Sequence, residues 1–266
     1  MSWTLLKYNI RTNWIIWFEM TLLFILYFAI MLSMYDPDNL AAIEQMIAML
    51  PEALVRAMNF DDFGTTLLTF LSGYLYGFLI YLFPMVITVV VNHQLVAAMV
   101  DKGSITSILS SPMSRQTFIR TQIVSSLLAM AMFFLVYVSV GIVLSEIMFP
   151  GTLDIGHYIL LNLHAYALYT VIGGIGFVAS TLADDKNVSL SAGIGFPVVF
   201  LIMQMLANAD PQLENFKYLS LFTLFDPQLV STDSTAVWGY IGVLVLLSML
   251  LYSAAHVIFT KKNLYV

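Results

Sequence analysis

The stretch VDKGSITSILSSPMSRQTFIRTQ, Val100–Gln122, separates two long apolar runs and carries most of the polar residues in the middle of the chain. Ser104 is a suitable N-cap for a short helix, and Pro112 ends it, because proline lacks an N–H and disfavours helical geometry at the preceding residue. Three apolar residues share one face of that helix: Ile105, Ile108 and Leu109. Ser114 then caps the next helix, which begins with Arg115. The pattern predicts a polar elbow with a small apolar-faced helix that docks on another protein.

Composition indicates the broad class. Hydrophobic residues make up 60% of the chain and charged residues 10%, and the mean hydropathy is +0.89, whereas soluble domains carry about 25% charged residues. The fold class predicted is therefore an all-α polytopic membrane protein. No polar stretch reaches the roughly 40 residues that independent folding needs, so residues 1–266 are predicted to form a single transmembrane domain. The absence of cysteine excludes disulfides, cysteine metal sites and thiol catalysis.

The apolar runs predict six spans, each with about 20 or more residues, enough to cross a bilayer core of about 30 Å. Their predicted bounds are about 14–34, 66–92, 119–148, 155–182, 188–207 and 236–259. Between them, residues 36–64 are predicted to form an outer helical loop and residues 100–118 the elbow segment. Pro84 predicts a kink in one continuous second span, and Gly73–Gly77 is a small-xxx-small pattern that permits close helix approach. Gly173–Gly176 suits tight packing or a hinge, and Gly193–Pro197 predicts a bend or local unwinding.

Residues 2–13 are predicted to form an amphipathic helix lying on the membrane before the first span. Its apolar residues recur at helical spacing: Trp3, Leu6, Ile10 and Trp14. Polar residues occupy the other faces: Lys7, Asn9, Arg11 and Asn13. Glu19, near the start of the first span, is either a carboxylate that snorkels to the interface or a polar contact inside the bundle.

The basic residues are distributed very unevenly between the two sides of the predicted membrane. Those on the side of both termini are Lys7, Arg11, Lys102, Arg115, Arg120, Lys186, Lys261 and Lys262, and those opposite are only Arg56 and Lys217. The positive-inside rule therefore predicts that both termini and the elbow are cytoplasmic. The outer side collects most of the acids, which either form a solvated anionic rim or attract cationic substrates.

Sequence motifs for hydrolases, metalloproteases and P-loop ATPases do not occur in the chain. His157 and His164 share a helix face, but no cysteine or carboxylate cluster joins them, so polar packing is a better interpretation than a metal site. Apart from Asn162 and His164, the spans are predicted to be nearly free of buried polar residues. This pattern argues against an intramembrane enzyme or channel.

The order of these features resembles the membrane subunit of ABC exporters of the type-two permease superfamily. Such subunits have an amphipathic N-terminal helix, six spans, and a cytoplasmic coupling helix between the second and third spans. Their motif is an acidic residue, any residue, Gly-Thr, an apolar helix and then Pro-x-Ser-Arg. The matching residues, which the resemblance implies couple to an ATPase, are Asp101, Gly103, Ser104, Ile105, Ile108, Leu109, Pro112, Ser114 and Arg115.

Two further stretches are similar to one branch of that superfamily, LPEAL at residues 50–54 and FTKKNL at residues 259–264. Two positions depart from its pattern. Ser104 replaces the commoner threonine, and Val100 stands where many members carry a glutamate. Any contact that this glutamate makes with the ATPase is therefore missing here.

The resemblance implies a non-enzymatic transmembrane subunit of an ATP-driven exporter in the plasma membrane. A separate ATP-binding-cassette subunit would hold ATP and Mg²⁺, and this chain would need no cofactor. The pathway would form between two copies of the chain, or between this chain and a paralogous permease, in the lipid bilayer and without nucleic acid. Trp3, Lys7 and Arg11 would belong to the interfacial helix. A non-transporting scaffold or sensor subunit that anchors an ATPase is the alternative, and the sequence leaves the cargo open.

Overall fold

The computed structural model describes residues 1–36, 45, 47, 49–60, 64–101, 113–183 and 186–262, and within them every regular element is a helix. Six helical segments among these residues are long and apolar enough to cross a membrane, five of them single helices and the sixth, Leu79–Asp101, a series of shorter consecutive helices. The helices are α1 (Trp3–Met34), α2 (Glu52–Ala57), α3 (Leu67–Tyr74), α4 (Phe83–Leu95), α5 (Ala97–Asp101), α6 (Arg115–Met148), α7 (Ile155–Leu182), α8 (Lys186–Ala209), α9 (Leu229–Thr232) and α10 (Ser234–Lys261). The expected all-helical class is confirmed.

Helix α1 joins the predicted interfacial helix and the predicted first span without a break. Its 32 residues correspond to about 48 Å at 1.5 Å per residue, which exceeds the thickness of a bilayer core. No helix end separates residue 13 from residue 14. The position of residues 2–13 at a membrane surface stays a prediction. Glu19 lies on the exposed face of α1, so the alternative of a polar contact inside the bundle is wrong for this chain alone.

The second span is interrupted, and the prediction of one continuous helix over residues 66–92 was wrong. Helix α3 ends at Tyr74, a turn and a short 3₁₀ helix at Leu79–Tyr81 follow, and α4 starts at Phe83. Pro84 therefore lies in the first turn of a new helix, where its missing N–H costs no hydrogen bond, instead of kinking a long one. The segment long enough to cross a membrane is Leu79–Asp101.

Gly73–Gly77 lies at this interruption and not on a helix face. The N–H of Gly77 donates to the carbonyl of Gly73 at 3.1 Å. A Cβ atom on Gly77 would lie 2.2 Å from that same carbonyl oxygen and 3.2 Å from the carbonyl oxygen of Met58. The glycine pattern therefore allows close approach within one chain, and it gives no support to a helix–helix dimer contact.

Helices α4 and α7 form the centre of the bundle, and α1, α6, α8 and α10 surround them. In the most apolar window of α7, 78% of the residues are buried, against 22% in α1 and in α8. Small residues let α10 approach α7 closely, since a Cβ on Gly173 would lie 2.8 Å from the Tyr252 hydroxyl, and one on Gly174 would lie 2.8 Å from Leu251 Cβ. The prediction of tight packing at Gly173–Gly176 is confirmed.

Aromatic side chains fill the space between α1 and α6. Phe24 and Phe28 are fully buried and contact the ring of Tyr137, with ring centroids 4.6 and 5.6 Å apart. Lipid tails are as apolar as these side chains, so packing and hydrogen bonding hold spans together more than the exclusion of water does. Interlocking rings and polar contacts therefore carry much of the stability of this bundle.

Helix α8 runs unbroken through Pro197. Proline removes the N–H that would bond the carbonyl four residues earlier, which is that of Gly193. The helix nevertheless continues to Ala209, so the predicted local unwinding does not occur. After α8 the chain folds back in two short 3₁₀ helices, Pro211–Leu219 and Leu221–Leu224, and α9 leads into α10.

Candidate functional site

Both ends of the described chain meet at one end of the bundle, here called the terminal end. The backbone N–H of Ser2 donates to the Thr121 hydroxyl at 2.9 Å. The ring of Phe118, in the first turn of α6, stacks on Phe259 in the last turn of α10, with centroids 5.3 Å apart. An even number of membrane crossings is the arrangement that returns a chain to the side on which it started.

The predicted coupling residues are only partly within the described chain. Asp101 is exposed at the end of α5, and the chain resumes at Met113 before α6. The other predicted members of the motif lie outside the described residues: Gly103, Ser104, Ile105, Ile108, Leu109 and Pro112. Ser114 is the N-cap of α6, because its hydroxyl accepts the N–H of Thr117 at 3.1 Å. The structure therefore gives the positions of the two residues that flank the undescribed part of the predicted coupling segment, Asp101 and Met113.

The re-entry point is tied to the ends of two other spans. Arg115 Nη1 donates to the backbone carbonyl of Lys262 at 3.0 Å. Lys262 Nζ in turn donates to the carbonyls of Thr181, Leu182 and Ala183, at 3.1, 3.1 and 2.7 Å. The last carbonyls of a helix lack partners within the helix and attract positive charge. Lys262 thus caps α7 from the end of α10, and sequence reasoning had given it no role beyond topology.

The first turns of α1 pack on α6 through amides. Asn9 Nδ2 donates to Gln122 Oε1 at 2.5 Å and to Ser125 Oγ at 2.8 Å. The predicted interfacial residues Trp3, Lys7 and Arg11 are exposed on the other faces of the same helix. In this part of α1 the buried face therefore combines leucines with hydrogen-bonded amides, and the exposed faces carry aromatic and basic side chains.

Two further polar clusters lie inside the bundle, so the prediction of spans nearly free of buried polar residues was wrong. In the first, Asn92 Nδ2 donates to the carbonyl of Gly173 at 2.9 Å, and Ser126 Oγ lies 2.5 Å from Asn92 Oδ1 and 3.2 Å from the Tyr252 hydroxyl. It links α4, α6, α7 and α10. Polar residues buried in a membrane bundle usually pair with one another, as they do here.

The second polar cluster lies at the interruption of the second span and contacts its side chains and backbone. Tyr76 donates to Asn162 Oδ1 at 2.8 Å and contacts the Tyr137 hydroxyl at 3.1 Å. The Tyr169 hydroxyl donates to the carbonyl of Ile80 at 2.5 Å. Irregular backbone at membrane depth requires such partners. The interruption is therefore stabilised by hydrogen bonds of Tyr76, which lies within it, and of tyrosines in α6 and α7.

The two histidines of the predicted pair have separate environments. A ring nitrogen of His164 lies 2.7 Å from the carbonyl of Leu224, and its ring packs on Phe225. His157 contacts Asp154, the N-cap of α7. Hydrogen bonds from the backbone N–H and the ring of His157 lower the pKa of the Asp154 carboxyl. Within the described part of the chain, no cluster of potential metal ligands occurs.

A cavity of about 400 Å³ opens at the end of the bundle opposite to the termini, under the loop that follows α8. We call it the loop cavity. Gln204 and Asn208 of α8 and Tyr81 of the interrupted second span contribute to its wall. Ser72 of α3 and Ala207 of α8 also line it, and most of the other lining residues follow α2 or α8 in the chain, among them Asn59, Lys217, Phe222, Phe225 and Asp226. Sequence reasoning missed this cavity, because its residues come from segments more than 100 positions apart.

The comparison with known families agrees with the fold. Residues 7–264 match the sequence profile of the ABC-2 family transporter proteins, which covers nearly the whole chain. No curated protein matches the chain. The family match agrees with the six helical segments of membrane length and with the polar sequence between the second and the third. The chain therefore belongs to the ABC-2 family as a membrane protein of an ABC transporter.

Proposed function

We propose that the chain is the transmembrane subunit of an ATP-driven exporter and forms a translocation pathway with a second copy or a paralogous permease. A separate ATP-binding-cassette subunit binds ATP and Mg²⁺ and hydrolyses the nucleotide. The observation that carries the proposal is the terminal end of the bundle. There the segment 100–118 ends in α6, where Arg115 bonds to the end of α10, and Lys262 at that end bonds in turn to the end of α7.

This arrangement supports a mechanical route from the ATPase to the spans. A displacement of the coupling segment acts on α6 through the cap at Ser114, and on α10 through the bond from Arg115 to the carbonyl of Lys262. The Lys262 ammonium extends the connection to the carbonyl end of α7. Since α7 is the central helix, movement at this end reaches most of the bundle.

The loop cavity supports the position of the pathway at the second and fifth spans. Its wall contains Tyr81 next to the break in the second span, and Gln204 and Asn208 from α8, the fifth span. A polar cavity at one end of the bundle and a coupling segment at the other fit a transporter that receives energy on one side and releases cargo on the other.

Assembly provides the direct test of the proposal. Purification in mild detergent after co-expression with its partner ATPase should give a complex whose mass contains two permease chains, or one chain and a paralogue, and the ATPase. Cargo should then stimulate its ATP hydrolysis. Recovery of free monomer alone would contradict the subunit assignment, whereas ATPase binding without stimulation by any cargo would favour the scaffold or sensor alternative.

Topology provides a second prediction, because both termini are proposed to be cytoplasmic. The chain has no cysteine, so single cysteines report their position without background. Asn215→Cys, on an exposed residue of the loop after α8, should react with an impermeant maleimide in intact cells. Gln116→Cys, exposed in the first turn of α6, should react only after permeabilisation. The reverse pattern of labelling would overturn the orientation.

A further inference from the structure

We propose that the loop cavity binds a small organic ammonium ligand. The cationic nitrogen of the ligand lies at Asp226, and its hydrogen-bond acceptors accept N–H groups from the side-chain amides of Asn59, Gln204 and Asn208. The proposal goes beyond the transport function, since binding to this cavity requires neither the ATPase nor a transport cycle. Four properties of the cavity support the proposal: its volume, the net charge of its lining residues, its unused N–H donors and the fixed position of Asn59 in its wall.

Size and shape fit a small molecule. Protein sites for small ligands usually enclose about 300–1,000 Å³ and combine apolar walls with a few converging polar groups. The loop cavity has about 400 Å³. Its floor is aromatic, because Tyr81 meets Phe222 and Phe225 edge-on, with centroids 4.6 and 6.0 Å apart. Aromatic surface next to a carboxylate is a common setting for organic cations.

The charged residues that line the cavity favour a cationic ligand. Lys217 and Glu214 both line the cavity and form an ion pair with each other. Their hydrogen bond lowers the pKa of Glu214 and raises that of Lys217, so both stay charged and their charges offset one another. Asp226 remains as an exposed carboxylate, and no lysine or arginine pairs with it in the part of the chain that the structure describes. The charged residues that line the cavity therefore carry a net negative charge.

The amides form a directed chain with unused donors. Gln204 Nε2 donates to Asn208 Oδ1 at 3.1 Å, and Asn208 Nδ2 donates to Asn59 Oδ1 at 3.1 Å. The Thr223 hydroxyl lies 2.7 Å from Gln204 Oε1 and 2.5 Å from the carbonyl oxygen of Lys217, and its single proton can serve only one of them at a time. A side-chain amide has two N–H groups, and these bonds use one from Gln204, one from Asn208 and none from Asn59. The amide chain thus offers donors, which suit a ligand with carbonyl oxygens.

Asn59 is held in place by the end of α2. Its φ of 55° makes it the one non-glycine residue with positive φ among the described residues. It occupies the left-handed position that commonly follows a helix, and the N–H groups of Asn59 and Phe60 donate to the carbonyls of Arg56 and Val55 at 3.0 and 2.9 Å. Here the contact from Asn208 Nδ2 fixes the Asn59 side chain against α8. The loop after α2 is therefore fastened to the cavity wall by the same amides that are assigned to the ligand.

The ligand class can be tested with glycyl-phenylalaninamide, which carries a primary ammonium, amide carbonyls and an aromatic ring. Its neutral counterpart is hydroxyacetyl-phenylalaninamide, in which a hydroxyl of similar size replaces the ammonium. Calorimetric titration of the purified full chain in detergent should show saturable binding of the first probe. The neutral probe should bind at least about tenfold more weakly, the usual effect of losing one charge-assisted hydrogen bond. Added NaCl should weaken binding of the cationic probe.

A matched pair of variants locates the site. Asp226→Asn removes the charge but keeps an oxygen that can accept the N–H of Gln228, which Asp226 Oδ1 accepts at 2.9 Å. Asp210→Asn is the control, since Asp210 Oδ1 accepts the N–H of Gln212 at 2.8 Å in a similar loop but does not line the cavity. We expect Asp226→Asn to weaken binding about tenfold and Asp210→Asn to leave it unchanged.

Three results would each overturn the proposal: no binding of the cationic probe, equal binding of both probes, or wild-type affinity in Asp226→Asn. The comparison of the two probes uses only the wild-type chain, so it does not depend on how a variant folds. A chain that fails these tests but still co-purifies with its ATPase would contradict the ligand site and leave the proposed function standing.

Discussion

Replacing Ile108 and Leu109 together with aspartate should abolish co-purification with the partner ATPase, while expression and membrane insertion remain normal. Both residues are apolar in a segment predicted to face water, so they must be buried against a partner to be stable there. Full burial of each would contribute about 1.5–3 kcal/mol. An aspartate at the same position must instead lose its hydration on binding, which is strongly unfavourable without a paired cation. The flanking spans are unchanged, so insertion should not be affected.

The matched control is Ser107→Asp with Ser110→Asp, which adds the same charge at polar positions of the same segment. Arg115→Ala should be milder than the double aspartate, because one peripheral charge pair contributes about 0–1 kcal/mol. Pull-down of the ATPase and cargo-stimulated ATP hydrolysis measure the effects. If Ile108→Asp with Leu109→Asp still bound the ATPase and transported normally, residues 104–111 would not be the coupling helix. A bilayer surface would then be the remaining partner for their apolar face.

Long apolar runs were sufficient to predict most of the helices. Helix α7 has the bounds predicted for the fourth span, and α6 ends at Met148 as predicted for the third. Local signals mark these ends, as at the N-caps Asp154 and Ser114, so they can be recognised from neighbouring residues alone. The motif of the elbow is also continuous in sequence, and its role stays a prediction.

The interruption of the second span could not be predicted in this way. Residues 66–92 contain no charged residue and are mostly apolar, and a glycine pair four residues apart is compatible with a continuous helix. The break depends on hydroxyl groups of Tyr137 and Tyr169 and on the amide of Asn162, which belong to helices far along the chain. No property of the segment itself reveals these partners.

Polar residues within the spans were missed for a related reason. One asparagine or serine in an apolar run changes its hydropathy little, and Asn92 and Ser126 are 34 positions apart. They become a cluster only when α4 and α6 pack together. The loop cavity is a stronger case, because Asn59 and Asn208, which share a hydrogen bond, are 149 positions apart. Candidate sites that are made from several segments therefore require the structure.

Replacing Gly77 with alanine should destabilise the chain strongly, because the added methyl group would collide with backbone atoms. Its Cβ would lie 2.2 Å from the backbone oxygen of Gly73 and 3.2 Å from that of Met58. Backbone atoms cannot swing aside as the end of a side chain can, so the turn itself must deform. Overpacking of this kind typically costs about 1–3 kcal/mol, and loss of the turn would add the loss of the hydrogen bond from the Gly77 N–H.

Gly195→Ala is the matched control, since no atom lies within 4 Å of the Cβ position at Gly195 in α8. Alanine is favoured over glycine in helices by about 1 kcal/mol, so this variant should be as stable as the wild type or slightly more stable. Thermal unfolding midpoints in detergent, followed by near-ultraviolet circular dichroism, give the comparison. A Gly77→Ala chain with an unchanged midpoint would mean that the second span is a continuous helix after all. A Cβ on Gly77 would also come within 3.2 Å of Asn59 Cβ, so a deformed turn should displace the amide of Asn59 and weaken ammonium binding in the loop cavity together with stability.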